Sequence, residues 1–104
     1  MKLKKMANIV YRTAQINTPA LLGTGTAIAA NPERKSWSIQ NCGTNVLFVR
    51  LGGAASATVF HYALKPGTGN DDGTGGSVSE GDGVIFTGII TVAGTTPRLT
   101  TRES

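Results

Sequence analysis

Apolar side chains recur with a period of two through the middle of the chain. In residues 36–40, Trp37 and Ile39 fall on one side and Ser36, Ser38 and Gln40 on the other. That is the pattern of a strand with one buried and one wetted face. Asn41-Cys42-Gly43-Thr44-Asn45 follows, a run of turn residues in which Gly43 can take positive φ without a steric cost. Residues 46–51 then alternate again, with Val46 and Phe48 on one face and Leu47, Val49 and Leu51 on the other. Only Arg50 is charged. The pattern predicts a β-hairpin over residues 36–51 whose second strand has two apolar faces, both needing cover.

The flanking segments read in the same way. Residues 8–16 (NIVYRTAQI) are rich in β-branched and aromatic types and predict a first strand, ended by Asn17-Thr18-Pro19. In residues 20–30, Gly23 and Gly25 argue against a helix, while Thr24, Thr26 and Ile28 share one strand face. Pro32-Glu33-Arg34-Lys35 is a charged entry to the Trp37 strand. Residues 58–65 (TVFHYALK) place Phe60, Tyr62 and Leu64 on one face, although Val59, Phe60, Ala63 and Leu64 also form a helical stripe before the Pro66-Gly67 stop signal. Aromatic and β-branched content favours the strand. Residues 67–83 hold seven glycines and predict a long turn-rich segment, with room for a short strand at 77–79. In residues 84–93 (VIFTGIITVA), Val84, Phe86, Ile90 and Val92 line one face and Ile85 and Ile89 the other. Gly88 marks a bulge or a close backbone approach there. Residues 98–102 predict an edge strand.

About seven to eight short strands at this spacing predict an all-β fold, an antiparallel β-sandwich or small barrel over residues 8–104, preceded by a flexible basic arm at 1–7. A sandwich covers one face of each strand. Leu47, Val49, Leu51, Ile85 and Ile89 are therefore in excess, and they are the candidate interface for other subunits, with a loop folding back over them as the alternative.

Composition sharpens this picture. The chain has 104 residues, 14 glycines and one cysteine, which leaves room for one domain and for no intrachain disulfide. A lone cysteine fits a reducing cytoplasm. No stretch approaches the roughly 20 apolar residues of a membrane-crossing helix. The basic start, Met1-Lys2-Leu3-Lys4-Lys5-Met6, lacks the apolar run of a signal peptide, so secretion is not expected. The formal charge of +4 is segregated. Lys2, Lys4, Lys5, Arg12, Arg34 and Lys35 against Glu33 give the first 35 residues +5, whereas Asp71, Asp72, Glu80 and Asp82 give residues 70–82 a net −4. Lys2, Lys4, Lys5 and Arg12 are thus candidate arm contacts, reaching a neighbour's acidic loop. Nucleic acid is a weaker expectation, because the arm lacks the interleaved aromatics of a single-strand binder.

Catalytic chemistry is not legible. Cys42 and His61 are the only residues of their kinds, and neither an orienting group nor an oxyanion site accompanies them. A zinc site would need more nitrogen and sulfur ligands. Asp71, Asp72, Glu80 and Asp82 lack the alternating spacing of an EF-hand, which leaves an irregular calcium site open and turn-making the expected role. Gly-Thr-Gly at 23–25 and 67–69 is not followed by the Lys-Ser/Thr of a phosphate loop. Trp37, Tyr62 and Phe86 lie on apolar strand faces and are expected in the core rather than in a sugar-stacking platform. No catalytic, cofactor or metal residues are assigned.

Arg34-Lys35-Ser36-Trp37-Ser38-Ile39-Gln40-Asn41, followed by Thr44-Asn45-Val46-Leu47-Phe48-Val49-Arg50-Leu51-Gly52, resembles small structural modules of tailed-bacteriophage virions. Phe60-His61-Tyr62-Ala63-Leu64-Lys65 and Asp71-Asp72-Gly73-Thr74-Gly75-Gly76 extend the likeness over about residues 33–100. The resemblance implies a non-enzymatic virion protein acting in many copies, a homo-oligomer with a trimer among its forms, assembled in the host cytoplasm. The first expectation is a capsid decoration (cement) protein partnered by the major capsid protein or other virion subunits. The alternatives are a head- or tail-fibre module, or a carbohydrate-binding β-sandwich recognising host glycans.

Overall fold

The computed structural model describes residues 25–104, together with the strand pairs Gln15–Ile16 and Ala20–Leu21. The arm at 1–7, its contacts Lys2, Lys4, Lys5 and Arg12, and most of the first expected strand lie outside the described residues. The strands are β1 (Gln15–Ile16), β2 (Ala20–Leu21), β3 (Gly25–Ile28), β4 (Trp37–Asn41), β5 (Leu47–Leu51), β6 (Tyr62–Leu64), β7 (Ser77–Glu80), β8 (Ile90–Gly94) and β9 (Arg98–Glu103). Seven of them are three residues or longer. Every pairing among the described residues is antiparallel, and none of these residues is helical, so the protein is an all-β sandwich.

One sheet runs β1-β9-β4-β7, with β2 also on β9; the other runs β3-β8-β5-β6. The pairs are nested. β1 and β2 pair with β9, β3 with β8, β4 with β7, and β5 with β6. The chain is thus one long hairpin with its tip at residues 52–61, wrapped so that β4 also meets β9 and β5 also meets β8. β1 and β2 lie on β9 in registers one residue apart, Ile16 opposite Arg102 and Ala20 opposite Leu99. Counted as one interrupted strand, they complete the two-sheet order of a jelly roll.

This wrapping corrects the hairpin expected at residues 36–51. β4 and β5 are consecutive in sequence but belong to opposite sheets, and residues 42–46 form the corner between them. Alternation says which side chains point inward, not which strand lies alongside. The same fact relocates the surplus apolar residues. Leu47 and Val49 point between the sheets and are buried, joining Ile28, Trp37, Ile39, Leu64, Ile90, Val92 and Leu99 in the core. Leu51 and Ile85 pack against this core half-buried. Of the five candidate interface residues only Ile89 is exposed.

Several boundaries also move. β9 is no edge strand, being flanked on both sides. The segment expected at 58–65 is a strand only over β6, with no helix, and the strand expected at 84–93 begins at Ile90. The short strand anticipated at 77–79 is β7. Thr26 and Ile28 do not share a face: Thr26 is exposed and Ile28 buried, because the register against β8 shifts between them.

Two buried polar side chains hold the wrapped layers together. Asn41, at the end of β4, is 1% exposed. Its Nδ2 donates to the carbonyls of Asn45 at 2.8 Å, Lys65 at 3.1 Å and Leu64 at 3.2 Å. Its Oδ1 accepts the Gly43 N–H at 3.0 Å. One amide therefore closes the corner and ties β4 of one sheet to β6 of the other. Gly75 must be glycine for the same reason: a Cβ there would lie 2.0 Å from the Asn41 carbonyl oxygen. Arg34, expected as a solvated entry residue, is instead buried. Its guanidinium donates to the carbonyls of Phe86 at 2.6 Å, Gly88 at 3.2 Å and Ala29 at 2.7 Å, with Glu103 3.7 Å from Nε. It pins the irregular segment 85–89 to the sandwich.

Asn41→Ala removes the side-chain partner of the buried Leu64 carbonyl and Gly43 N–H and two further bonds, to the Asn45 and Lys65 carbonyls. It is expected to lower unfolding free energy by about 2–3 kcal/mol in urea titrations. Leu47→Asp places a charge in the core and should abolish the cooperative transition, whereas Ile89→Asp should leave it in place. An unfolded Ile89→Asp chain or a stable Leu47→Asp chain would contradict the burial described above.

Candidate interaction surface

The outer face of the β3-β8-β5-β6 sheet is built from the alternate positions of the core strands. Phe48 lies opposite both Ala63 and Ala93, and Arg50 lies opposite Thr91. These side chains share the face turned away from the core. A polar outer row would leave such a face in water, but here it is largely apolar. The hairpin tip folds back across part of it. Thr91 Oγ1 donates to the Gly53 carbonyl at 2.7 Å and accepts the Ala55 N–H at 3.0 Å. Ala55 and Ala93 become buried in consequence. The small residues Gly52-Gly53-Ala54-Ala55-Ser56 allow the tip to lie this close to the sheet. A segment thus folds back over part of this face, not over Leu47 and Val49, for which such cover was the expected alternative and which the opposite sheet buries instead.

What stays uncovered is aromatic and aliphatic. The rings of Phe48 and Phe60 meet with centroids 4.9 Å apart at an interplanar angle of 44°. Phe60, Val59 and Val46 are each about 40% exposed (41%, 46% and 38%). Beside Phe48 is an open depression of about 430 Å³, lined by Val46, Phe48, Ala55, Ala57 and Ala93 among others. A second depression, of about 320 Å³, lies on the other flank of the tip between Gly25, Gly53, Ala54 and Ile89. The sequence signal for this surface was Phe48 and Val46 on one side of β5. Alternation alone does not separate it from the Leu47-Val49-Leu51 side, because both sides are apolar.

The remaining candidates separate. Cys42 is buried at the sheet corner, its Sγ donating to the Gln40 carbonyl at 3.7 Å. Burial pushes its thiol pKa upward, and the Asp71 charge adds to that. His61 is exposed beside the far end of β5, where its Nδ1 accepts the Leu51 N–H at 3.0 Å. The two do not form a nucleophilic pair. Trp37 is in the core, and Tyr62 and Phe86 pack against it.

Three of the four acids serve the fold, each differently. Glu80 Oε1 accepts both Trp37 Nε1 at 2.8 Å and the Phe86 N–H at 2.9 Å. Asp71 is ion-paired with Arg98, whose Nε is 2.8 Å from Oδ1, and that bond holds its carboxyl below the usual range. Asp72 ties the 68–74 loop together: it accepts Thr74 Oγ1 at 2.6 Å, Thr74 N–H at 3.0 Å and Thr68 Oγ1 at 2.8 Å. Asp82 is exposed and makes no hydrogen bond or ion pair among the described residues. No group of three or more metal-ligating side chains occurs among the described residues.

Comparison of the chain with protein-family models, with curated proteins and with solved structures finds no match.

Hydrogen bonds from Thr74 and Thr68 lower the Asp72 pKa to about 2. A depressed carboxylate stabilises the folded loop above its unfolded pKa, and that contribution fades as pH falls through about 2. Carboxyl-carbon NMR should therefore place the Asp72 midpoint near 2, with Thr74→Ala moving it upward. An ordinary aspartate midpoint in the unmutated chain would show that the loop is not closed by this network.

Proposed function

We propose that this chain is a non-enzymatic structural subunit of a tailed-bacteriophage virion, a capsid decoration protein that binds the assembled shell and stabilises it through contacts between subunits. The observation that carries the reading is the partly uncovered apolar outer sheet face, where Val46 and Phe48 line an open depression and Phe60 and Val59 are exposed nearby, Phe60 against the Phe48 ring. Contiguous apolar surface on a small domain marks an interaction site. The described acids Asp71, Asp72 and Glu80 are engaged in holding loops, and Cys42 and His61 are apart, so the chemistry present serves architecture. Supporting it further are the resemblance of residues 34–52 to virion modules and a strand order that recurs in capsid and lectin domains. Fold alone does not assign a role. The mechanism is repetition: contacts weak one at a time give high avidity when a symmetric shell presents many of them together.

The Phe48–Phe60 pair also favours a second reading, in which the exposed rings stack on a sugar of the host surface. Purified protein added to undecorated shells of its phage should co-sediment to a saturating stoichiometry and raise the temperature of shell disruption. Phe60→Ser should weaken attachment roughly tenfold while leaving the fold intact. Indifference to shells combined with binding on a glycan array would replace decoration by sugar recognition.

A further inference from the structure

We infer that the loop carrying Val84 is a knob that seats in the depression beside Arg50 of a second copy of this chain, with Asp82 facing that arginine. The inference rests on the subunit reading above and names the surfaces that would meet. Val84 is 93% exposed, far more than any other large apolar side chain described. It is not on a loose end. On its C-terminal side, Phe86 N–H is held by Glu80, the Phe86 and Gly88 carbonyls are held by buried Arg34, and the Thr87 carbonyl accepts the Asn31 N–H at 2.8 Å. On its N-terminal side, Glu80 belongs to β7 and is fixed by Trp37. Gly81 and Gly83 keep the loop slim, and Gly83 turns it at φ 71°. The fold thus presents a valine outward on a firm base.

The matching feature is the depression of about 320 Å³ on the flank of the hairpin tip. Gly25, Gly53, Ala54 and Ile89 join Thr26 and Thr91 in its mainly apolar wall, with room for one branched aliphatic side chain and the glycines beside it. The Arg50 guanidinium lies against two of its lining residues, Gly53 and Ala54. It donates to the Ala54 carbonyl at 2.9 Å and sits so close to Gly53 that a Cβ there would fall 2.7 Å from Cζ. Arg50 has no carboxylate partner among the described residues, and neither has Asp82 a cation. One copy therefore offers an apolar knob with an uncompensated anion two residues before it. The other offers a mainly apolar socket with an uncompensated cation beside it. Opposite charge at matching places sets orientation as well as attraction. Each copy both gives a knob and receives one, which suits repeated assembly.

The test is sedimentation velocity of the full chain across a concentration series, with circular dichroism to confirm folding. The unmodified chain should self-associate, and Val84→Asp should weaken association roughly tenfold or more without changing the spectrum. Asp82→Arg and Arg50→Glu should each weaken it, and the chain carrying both should recover association with a reversed charge pair. Unchanged association in Val84→Asp, or no recovery in the doubly reversed chain, overturns the docking. A strictly monomeric chain also overturns it. If that monomer still saturates shells, decoration stands without the knob; if it does not, the functional reading fails as well.

Discussion

The buried amide of Asn41 is the constraint on which the sandwich depends. A strand that leaves one sheet and enters the other must turn a corner, and a corner between two apolar layers leaves main-chain groups without ladder partners. A side chain buried at the corner can supply the partners that the ladder does not. Asn41 carries donors and an acceptor on one short, stiff stem, and it meets the Asn45, Leu64 and Lys65 carbonyls and the Gly43 N–H together. Glutamine would carry the same groups on a longer stem, and aspartate would bring a charge and no donor. Around this point Gly75 and Gly76 run close beneath, with the Gly76 carbonyl accepting the Asn41 N–H.

Arg34 plays a comparable part at another place in the fold. The Ala29 carbonyl, five residues before it, and the Phe86 and Gly88 carbonyls, 52 and 54 residues after it, converge on one guanidinium, and Glu103 supplies the compensating charge. Burying a cation this way is costly, and the cost is only partly offset, because Nε makes no hydrogen bond and meets Glu103 at 3.7 Å. The return is a fixed path for residues 85–89, which carry no ladder bonds as a regular strand would. The firmness of the loop that carries Val84 follows from that clasp.

Much of the all-β character was legible because periodicity reports burial directly. Trp37 and Ile39, Leu47 and Val49, and Ile90 and Val92 alternate as the core requires, and the strand at 77–79 was visible within a glycine-rich stretch. What periodicity cannot report is which strand lies alongside which. Residues 36–51 satisfied every local rule for a hairpin, yet the turn at 41–45 joins two sheets, because long-range pairing with β7, β8 and β9 decides the partners. The same long-range pairing turns Leu47 and Val49, which the alternation leaves in excess, into the core and Phe48 and Val46 outward. The bulge between Thr26 and Ile28, and the burial of a charged residue such as Arg34, depend on tertiary partners that no local pattern announces. Alternation therefore marks residues 46–51 as apolar on both sides without telling which side turns outward.

The nested pairing has a consequence for synthesis on the ribosome. The strand at the middle of the first sheet, β9, is the last of the described strands to be made, and β4 has no neighbour on that side until it arrives. Through most of translation the nascent chain exposes an unfinished sheet edge and half of a greasy layer. Such topologies close late and slowly, since the contacts that complete them join residues far apart in the chain. A protein produced in many copies at once would meet its own unfinished siblings during this interval, and rapid capture of each finished copy by a larger assembly would shorten the exposure.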